Sequence, residues 1–399
     1  MTTRDVYVLE YLRTARAKGS ARGSLHHLSP TELVVRLQRA LIERTGLDPA
    51  RIEDVTLGLA SQNGEQGANL PRTAALLAGW GEHVPGVSLN RFCASGIDAV
   101  AQTAARVKAS DLDLAVAGGV ESVSRVPMFS DEGPLWSDPD TIRRVGSIHM
   151  GIAADLNATL DGWRREQLDA YGVETQSKAA AAWGSGFFKA AVVPIDGFDR
   201  DELVRPGTTL EALAALPPAF AELGAAGQDA IALAAHPEAG TIDHRHTVGT
   251  SPAIADAAAL VLLGTRDAAA AAHLAPRARV VAAATCGTDP VIMLTAGQQA
   301  VEKVIAKAGL TPADIDVFEF AEAFSALCLK FRRDLDAGPD RMNPNGGTIA
   351  MGHAFGATGA ILLGQCVEEL RQRGGRYGVA AVSGAAGLGV AVLVERVDA

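Results

Sequence analysis

The chain alternates short apolar runs with stretches in which apolar residues return at helical spacing. Runs of the first kind, rich in Val, Leu, Ile and Phe, predict β-strands, and stretches of the second kind predict amphipathic helices. The predicted strands cover residues 6–9, 54–59, 112–117, 280–284, 317–320, 377–382 and 390–395. Regular alternation of strands with helices indicates a layered α/β fold.

One helix is marked at both of its ends. Ser29 is a good N-cap, and Pro30 suits the first helical position, where a backbone N–H would have no partner. The apolar positions that follow are Leu33, Val34, Leu37, Leu41 and Ile42. Gly46 is the residue type that most often ends a helix. We therefore predict a helix between Ser29 and Gly46.

A strand-to-helix corner carries the first candidate for chemistry. The apolar run 87–89 leads to Cys93, and the small residues Ala94, Ser95 and Gly96 then open a helix. The unpaired N–H groups and positive dipole at that helix start are expected to stabilise a thiolate. The alternative is that Cys93 is only a small buried apolar residue. Its position at the corner favours a nucleophile.

An internal repeat links this corner to a second one. The segment 46–52, Gly-Leu-Asp-Pro-Ala-Arg-Ile, recurs 263 positions later as Gly-Leu-Thr-Pro-Ala-Asp-Ile at 309–315. Two copies of one architecture are implied. Continued with an offset of 260, the alignment places Gly96 on Gly356 and Cys93 on His353.

His353 is therefore the predicted base for Cys93. If the two halves pack about a pseudo-twofold axis, their equivalent corners converge on one pocket, as a Cys-His pair requires. Histidine is the commonest general base near neutral pH. A histidine without the repeat would carry little weight.

A third glycine-rich corner, residues 382–389, follows the predicted strand 377–382. No Lys-Ser or Lys-Thr pair follows it and no helix of useful length begins there, which disfavours a phosphate-binding loop. Its glycines allow backbone amides to approach a bound carbonyl oxygen, which favours an oxyanion site. A plain hairpin is the remaining alternative.

The middle of the chain has a different character. Residues 121–246 carry more charge, Pro and Gly and little strand pattern. We interpret them as a long insertion over one face of the core. The predicted division is a first half of residues 1–120 with 247–268, the insertion 121–246, and a second half of 269–399.

Charge and cysteine spacing exclude several classes of partner. The formal net charge is −10 and the pI is about 5.4, which argues against nucleic acid and anionic membranes. The four cysteines form no CxxC pair, so a metal site has no support. The N-terminus lacks a signal-peptide pattern and no apolar run is long enough to span a bilayer, so we expect a soluble, cytoplasmic protein.

Several motifs resemble the thiolase family, the acyltransferases that make or cleave 3-ketoacyl-CoA. The similarity covers the full chain. The motifs are Asn90-Arg91-Phe92-Cys93-Ala94-Ser95-Gly96, Gly118-Gly119-Val120-Glu121-Ser122-Val123-Ser124, His149-Met150-Gly151, Arg205-Pro206-Gly207-Thr208-Thr209-Leu210 through Pro218-Ala219-Phe220, and Asn343-Pro344-Asn345-Gly346-Gly347 before Gly352-His353.

The resemblance implies a fold and a set of roles. The fold would be two similar halves in a five-layer α-β-α-β-α core, with the insertion as a lid over the site of CoA, which is a substrate and not a cofactor. Cys93 would carry the acyl group and His353 would deprotonate it. Arg205 would lie against the adenine of CoA. A homodimer or homotetramer is implied. The residues implied to line the pantetheine and acyl channel are His149, Met150, Phe220 and Phe324.

Several residues depart from the family pattern, and they bear on the step that moves the α-proton. The family's second cysteine, which moves the α-proton, is Ser383 here, and a hydroxyl is a far weaker acid than a thiol. The Asn of the Asn-Glu-Ala-Phe motif, which helps to hold an oxyanion water, is Ala321. Pro252 replaces a serine of the CoA site, and Ala354 replaces the proline after the histidine. Glu322 or an ordered water is then the candidate base.

Three functions follow from these residues. The first is thiolase-type transfer in which Glu322 or an ordered water acts as the base that Ser383 and Ala321 do not supply. The second is acyl transfer from Cys93 to an amine, alcohol or water without deprotonation of an α-carbon. The third is a non-catalytic acyl-CoA-binding protein, which is disfavoured because Cys93 and His353 are both present.

Overall fold

The computed structural model describes residues 4–397 and contains each predicted strand. The strands are β1 (Tyr7–Thr14), β2 (Ala17–Lys18), β3 (Val55–Gly58), β4 (Val87–Leu89), β5 (Leu114–Glu121), β6 (Val192–Val193), β7 (Ala255–Gly264), β8 (Ala278–Gly287), β9 (Val317–Phe320), β10 (Tyr377–Gly384) and β11 (Leu388–Arg396). The pattern did not predict β7. This strand is rich in alanine and buried on both faces, so it lacks the alternation that marks a half-exposed strand.

The predicted capped helix is confirmed as α1. Ser29 Oγ accepts a hydrogen bond from the N–H of Glu32 at 3.1 Å, and Gly46 ends the helix at φ 64°. The helices are α1 (Pro30–Thr45), α2 (Leu70–Ala78), α3 (Ser95–Lys108), α4 (Pro134–Ser137), α5 (Pro139–Val145), α6 (Met150–Leu160), α7 (Arg165–Ser185), α8 (Leu210–Ala214), α9 (Ala221–Leu223), α10 (Asp229–Ala235), α11 (Arg266–Ala271), α12 (Ala296–Lys307), α13 (Ser325–Leu335), α14 (Thr348–Met351) and α15 (Phe355–Arg373).

The internal repeat is visible in the strand pairing. In the first half β3 runs parallel to β5, β5 antiparallel to β7, and β7 antiparallel to β1. In the second half β9, β10, β11 and β8 repeat this order with the same directions. Gly46 and Gly309 both have positive φ, 64° and 71°, and a 3₁₀ turn follows each. The repeat therefore marks two copies of one fold, as predicted.

The layers arise because the two faces of each strand pack against different sets of helices. Along β7, Ala259 and Val261 face the central core, whereas Leu260 and Leu262 face the core of α1 and α2. The strands of the second half likewise separate the central core from that of α12 and α13. The two halves join where β1 pairs with β8 over two residues. Helices α3 and α15 form the middle of the predicted five-layer core, which is confirmed.

The two central helices approach each other through glycine. A Cβ atom on Gly96 or on Gly119 would overlap the carbonyl oxygen of Gly356, and one on Gly359 would overlap the backbone of Ile97. The starts of α3 and α15 therefore touch backbone to backbone. This contact brings together the two corners that the repeat aligned.

The regular elements of the insertion are helices apart from one two-residue strand, in keeping with its weak strand pattern. It contains α4 to α10, and β6 pairs with β1 over two residues. The division at residues 120, 246 and 268 stays a prediction. Within residues 4–397, no helix combines the length and the apolar character needed to cross a bilayer.

We expect Gly96→Ala to destabilise the protein by about 1–3 kcal/mol, because the added methyl must displace the backbone of Gly356. The control is Gly184→Ala, in α7, where an added Cβ meets open space. That change should be neutral or stabilise by up to about 1 kcal/mol through helix propensity. Urea denaturation of both variants measures the difference. Equal free energies of unfolding would contradict the close contact.

Candidate active site

One cavity of about 210 Å³ lies where the starts of α3 and α15 meet the turn between β10 and β11. Cys93, His353 and Ser383 all line it. These residues come from the three corners that the sequence singled out, and they are 290 positions apart at the extremes. The cavity is therefore built from both halves of the repeat.

Cys93 precedes Ala94, the N-cap of α3, and is partly exposed to the cavity. Burial, with a smaller effect of the negative charge of Glu121, raises the pKa of its thiol to about 12. The expectation that the helix start stabilises a thiolate is therefore wrong. Desolvation and a nearby anion outweigh the helix dipole, so Cys93 holds its proton and needs a base.

The pKa of His353 is shifted in the opposite direction, which suits a base for Cys93. Burial, with a smaller effect of the Arg16 charge, lowers the pKa of its imidazole to about 3. Its Nδ1 lies 2.8 Å from Oγ1 of Thr358, on the first turns of α15. Its backbone N–H donates to the carbonyl of Ala253, which leads into β7. The ring is thus fixed in place and neutral near neutral pH.

Thr358 is a positioning residue that the sequence argument missed. A histidine followed five positions later by threonine at a helix start was the available signal. The hydroxyl fixes the imidazole plane by its contact with Nδ1 and leaves Nε2 for the cavity.

Ser383 is held by two hydrogen bonds. Its hydroxyl donates to the carbonyl of Leu294 at 2.7 Å and accepts from the N–H of Gly297 at 2.9 Å. Gly384 and Ala385, the next residues of the glycine-rich corner, also line the cavity. The hydroxyl proton of Ser383 is thus directed at the backbone.

Glu322 lies outside the residues that line the cavity, although its neighbours Ala323 and Phe324 belong to them. Its carboxylate is fully buried and accepts hydrogen bonds from three side chains and one backbone N–H. The donors are Tyr171 Oη at 2.8 Å, Thr175 Oγ1 at 2.9 Å, Asn343 Nδ2 at 3.2 Å and the N–H of Ile349 at 3.0 Å. Ala321 is also buried outside the lining. Glu322 thus ties α7 of the insertion to α14 and the rest of the second half.

Aromatic rings form part of the wall of the cavity. The ring centroids of His149 and Phe220 are 5.5 Å apart, and those of Phe220 and Phe324 are 5.8 Å apart. Nδ1 of His149 accepts from the N–H of Gly151, and burial lowers the pKa of this histidine. Met150 lies beside it. Met128, Ile254 and Leu294 also line the cavity, and no motif in the sequence indicated them.

A second cavity of about 470 Å³ adjoins the first and opens beside Arg205. The two cavities share Phe220, Ser251 and Pro252. Arg205 is exposed, and its backbone N–H donates to Gln176 at 2.7 Å. A long ligand can thus extend from Arg205 past Pro252 to Cys93. We call this second cavity the entrance.

No group of three or more His, Cys, Asp or Glu residues in the described part of the chain is arranged to hold a metal ion. The cavity presents a thiol, an imidazole, a hydroxyl and backbone amides. A neutral thiol and a neutral imidazole that line one cavity are suited to acyl transfer through a thioester.

Comparison with known proteins agrees with this geometry. The family model described as thiolase, N-terminal domain, matches residues 6–267, and that described as thiolase, C-terminal domain, matches residues 274–396. Acetyl-CoA acetyltransferase of Allochromatium vinosum is 36% identical, with 95% of this chain and 96% of that protein covered. The 3-oxoadipyl-CoA/3-oxo-5,6-dehydrosuberyl-CoA thiolase of Escherichia coli is 34% identical, with 99% and 100% covered.

A solved structure supports the same assignment. The acetyl-CoA acetyltransferase of Bacillus anthracis superimposes with a TM-score of 0.87 at 29% identity, covering 99% of this chain and 100% of that one. Fold, family models and relatives agree over almost the whole length. The chain belongs to the thiolase family.

Proposed function

We propose that the protein is a thiolase-type acyl-CoA acyltransferase that forms an acyl-enzyme on Cys93 and passes the acyl group to or from CoA. The observation that carries the proposal is the convergence of Cys93 and His353 on one cavity from equivalent corners of the repeat. Membership of the thiolase family supports it.

The first step is acylation of Cys93. The sulfur attacks the thioester carbonyl while Nε2 of His353 takes the thiol proton, and the same proton then passes to the departing CoA sulfur. The raised pKa of the thiol and the lowered pKa of the imidazole keep both groups neutral before substrate arrives. Proton transfer therefore has to accompany attack on the carbonyl.

Ser383 limits the half of the reaction in which the carbon–carbon bond is made or broken. Cleavage of a 3-ketoacyl-CoA releases an enolate that needs a proton at its α-carbon, and condensation needs that proton removed. The Ser383 hydroxyl is a weak acid and donates to Leu294 instead. This geometry favours a second candidate, acyl transfer from Cys93 to water, an alcohol or an amine without α-deprotonation. A non-catalytic acyl-CoA-binding role is the third candidate.

Glu322 acts as a positioning residue in this proposal. Four donors already satisfy its carboxylate, and it does not line the cavity. It holds the segment that carries Ala323 and Phe324 against the substrate channel. An ordered water is then the remaining candidate for the missing proton donor.

The entrance is proposed to hold CoA, with the adenine against Arg205 and the pantetheine past Phe220. The entrance and the cavity lie end to end, which suits a long ligand whose thioester must reach Cys93. CoA is a substrate here, and the proposal includes no metal or further cofactor.

We also propose a cytoplasmic homodimer or homotetramer. Strand β4 is an edge strand, and Val87 on it is 44% exposed. Leu76 and Leu77 of the adjacent α2 are 46% and 58% exposed. An exposed edge strand with apolar neighbours is suited to pairing with another chain. Light scattering of the purified protein tests this assembly.

Intact-protein mass spectrometry after incubation with acyl-CoAs and 3-ketoacyl-CoAs tests the three functions. A stable adduct on Cys93 excludes simple binding. Release of CoA with formation of a carbon–carbon bond identifies thiolase-type condensation, and CoA release without such a bond identifies transfer to another acceptor.

We expect acylation of Cys93 by acyl-CoA to change less than about twofold between about pH 7.5 and about pH 5.5. A pKa of about 3 leaves His353 neutral over that range. A histidine of ordinary pKa near 6.5 would be mostly protonated at the lower pH and would slow the reaction about tenfold. Rapid-quench mass spectrometry measures the rate.

The matched variant His353→Gln should lower the acylation rate by about 10²–10⁴ at every pH in this range. A fall of the wild-type rate centred near pH 6.5 would contradict the neutral imidazole. A variant as fast as wild type would remove His353 from the mechanism.

Ser383→Cys should raise thiolysis of acetoacetyl-CoA by at least about tenfold, because a thiol is the stronger acid and a positioned acid typically contributes 10²–10⁴. The control Ser383→Ala should leave the slow wild-type rate within about threefold, since the serine hydroxyl moves no proton in the proposal. Loss of acetoacetyl-CoA with free CoA is the assay. A large loss in Ser383→Ala would show that the hydroxyl itself takes part.

A further inference from the structure

We propose that a side chamber beside Cys93 receives the far end of the acyl group, so that the enzyme acts on neutral, apolar acyl groups longer than acetyl. The side chamber is the cavity lined by Trp136, Ile142, Val145, Ile148, Ile231 and Met293. The inference rests on the proposed function, because it assumes that Cys93 carries the acyl group.

The chamber adjoins the site of acylation. A smaller cavity, which we call the passage, shares Cys93 with the active-site cavity and Trp136 with the chamber. Met150 and Ala385 belong to all three walls. The rings of Trp136 and Phe92, whose centroids are 5.7 Å apart, form one side of the passage.

The chamber and the entrance lie on different sides of Cys93. The entrance shares Phe220, Ser251 and Pro252 with the active-site cavity, whereas it has no lining residue in common with the side chamber. If CoA occupies the entrance, the chamber is the space left for an acyl substituent that extends beyond the thioester carbon.

Size and chemistry define the substituent. The chamber volume is about 170 Å³, and an apolar cavity of about 150 Å³ is known to hold benzene. Two of the polar atoms in its lining are already bonded: Trp136 Nε1 donates to Asp131 at 2.9 Å, and Gln228 Oε1 accepts from the N–H of His149 at 2.6 Å. The remaining surface suits an alkyl chain of several carbons or one ring.

The lining also excludes an acidic substituent. The described residues that line the chamber include no lysine and no arginine. A carboxylate there would lose its water without gaining a cation, which is costly. We therefore infer that acyl groups ending in a carboxylate, such as the 3-oxoadipyl group after which the Escherichia coli relative is named, are poor substrates.

The test compares the rates at which acetyl-CoA, hexanoyl-CoA and succinyl-CoA acylate the full-length protein, read as intact mass. Each methylene buried in an apolar site contributes severalfold to the rate constant. Hexanoyl-CoA should therefore exceed acetyl-CoA by at least about tenfold, and succinyl-CoA should not exceed acetyl-CoA.

Val145→Trp fills the chamber from the end of α5, where Val145 is half-buried. It should lower the ratio of the hexanoyl to the acetyl rate by at least about tenfold. Leu160→Trp adds the same ring at an exposed position that lines none of these cavities and should leave the ratio unchanged. Acetyl transfer in each variant reports that the protein is folded.

The possible results separate the two proposals. A wild-type ratio near one, or a ratio that Val145→Trp does not change, overturns the side chamber while acylation of Cys93 still stands. A preference for succinyl-CoA also overturns it. Absence of an adduct from every thioester overturns the proposed function, and the inference falls with it.

Discussion

The carboxylate of Glu121, at the end of β5, joins the two halves of the molecule. It accepts from the N–H groups of Ala60 and Gly356 at 2.8 and 2.9 Å, and from Gln66 Nε2 at 2.6 Å. Gly356 lies in the first turn of α15, so an anion from the first half occupies the positive end of a helix of the second. The absence of a Cβ on Gly96 and Gly356 lets the halves approach closely enough for this contact.

The same carboxylate sets the electrostatics of the candidate nucleophile. Burial and the charge of Glu121 both oppose ionisation of Cys93, so the joint between the halves makes the thiol less reactive at rest. Burial of His353 keeps the imidazole neutral and able to accept that proton. At rest the cavity therefore contains a neutral Cys93 thiol and a neutral His353 imidazole, and not a thiolate and an imidazolium. Such a pair ionises only as charge is passed on to the substrate carbonyl, which limits side reactions of the thiol.

Local signals in the sequence predicted the elements and the repeat, but not the surroundings of the site. Ser29, Pro30 and Gly46 act through backbone geometry within a few residues, so they can be read directly from the chain. The pKa of Cys93 depends on burial by the assembled fold and on the charge of Glu121 at the end of β5, so the direction of its shift was predicted wrongly. The bonds that hold Glu322 come from α7, α14 and the turn at Asn343, and no spacing in the sequence indicates them.

The side-chain oxygen of Ser383 is met by a backbone donor at the start of a helix. The N–H of Gly297, in the first turn of α12, points at Oγ of Ser383, and a Cβ on Gly297 would approach that oxygen too closely. A helix start aimed at one side-chain atom is an arrangement that stabilises an anion there, such as a thiolate. The hydroxyl does not ionise near neutral pH and instead donates to Leu294. If Ser383 stands at the position of the family's second cysteine, as the resemblance implies, this site lacks acidity and not geometry, because a donor that would stabilise the charged form is in place.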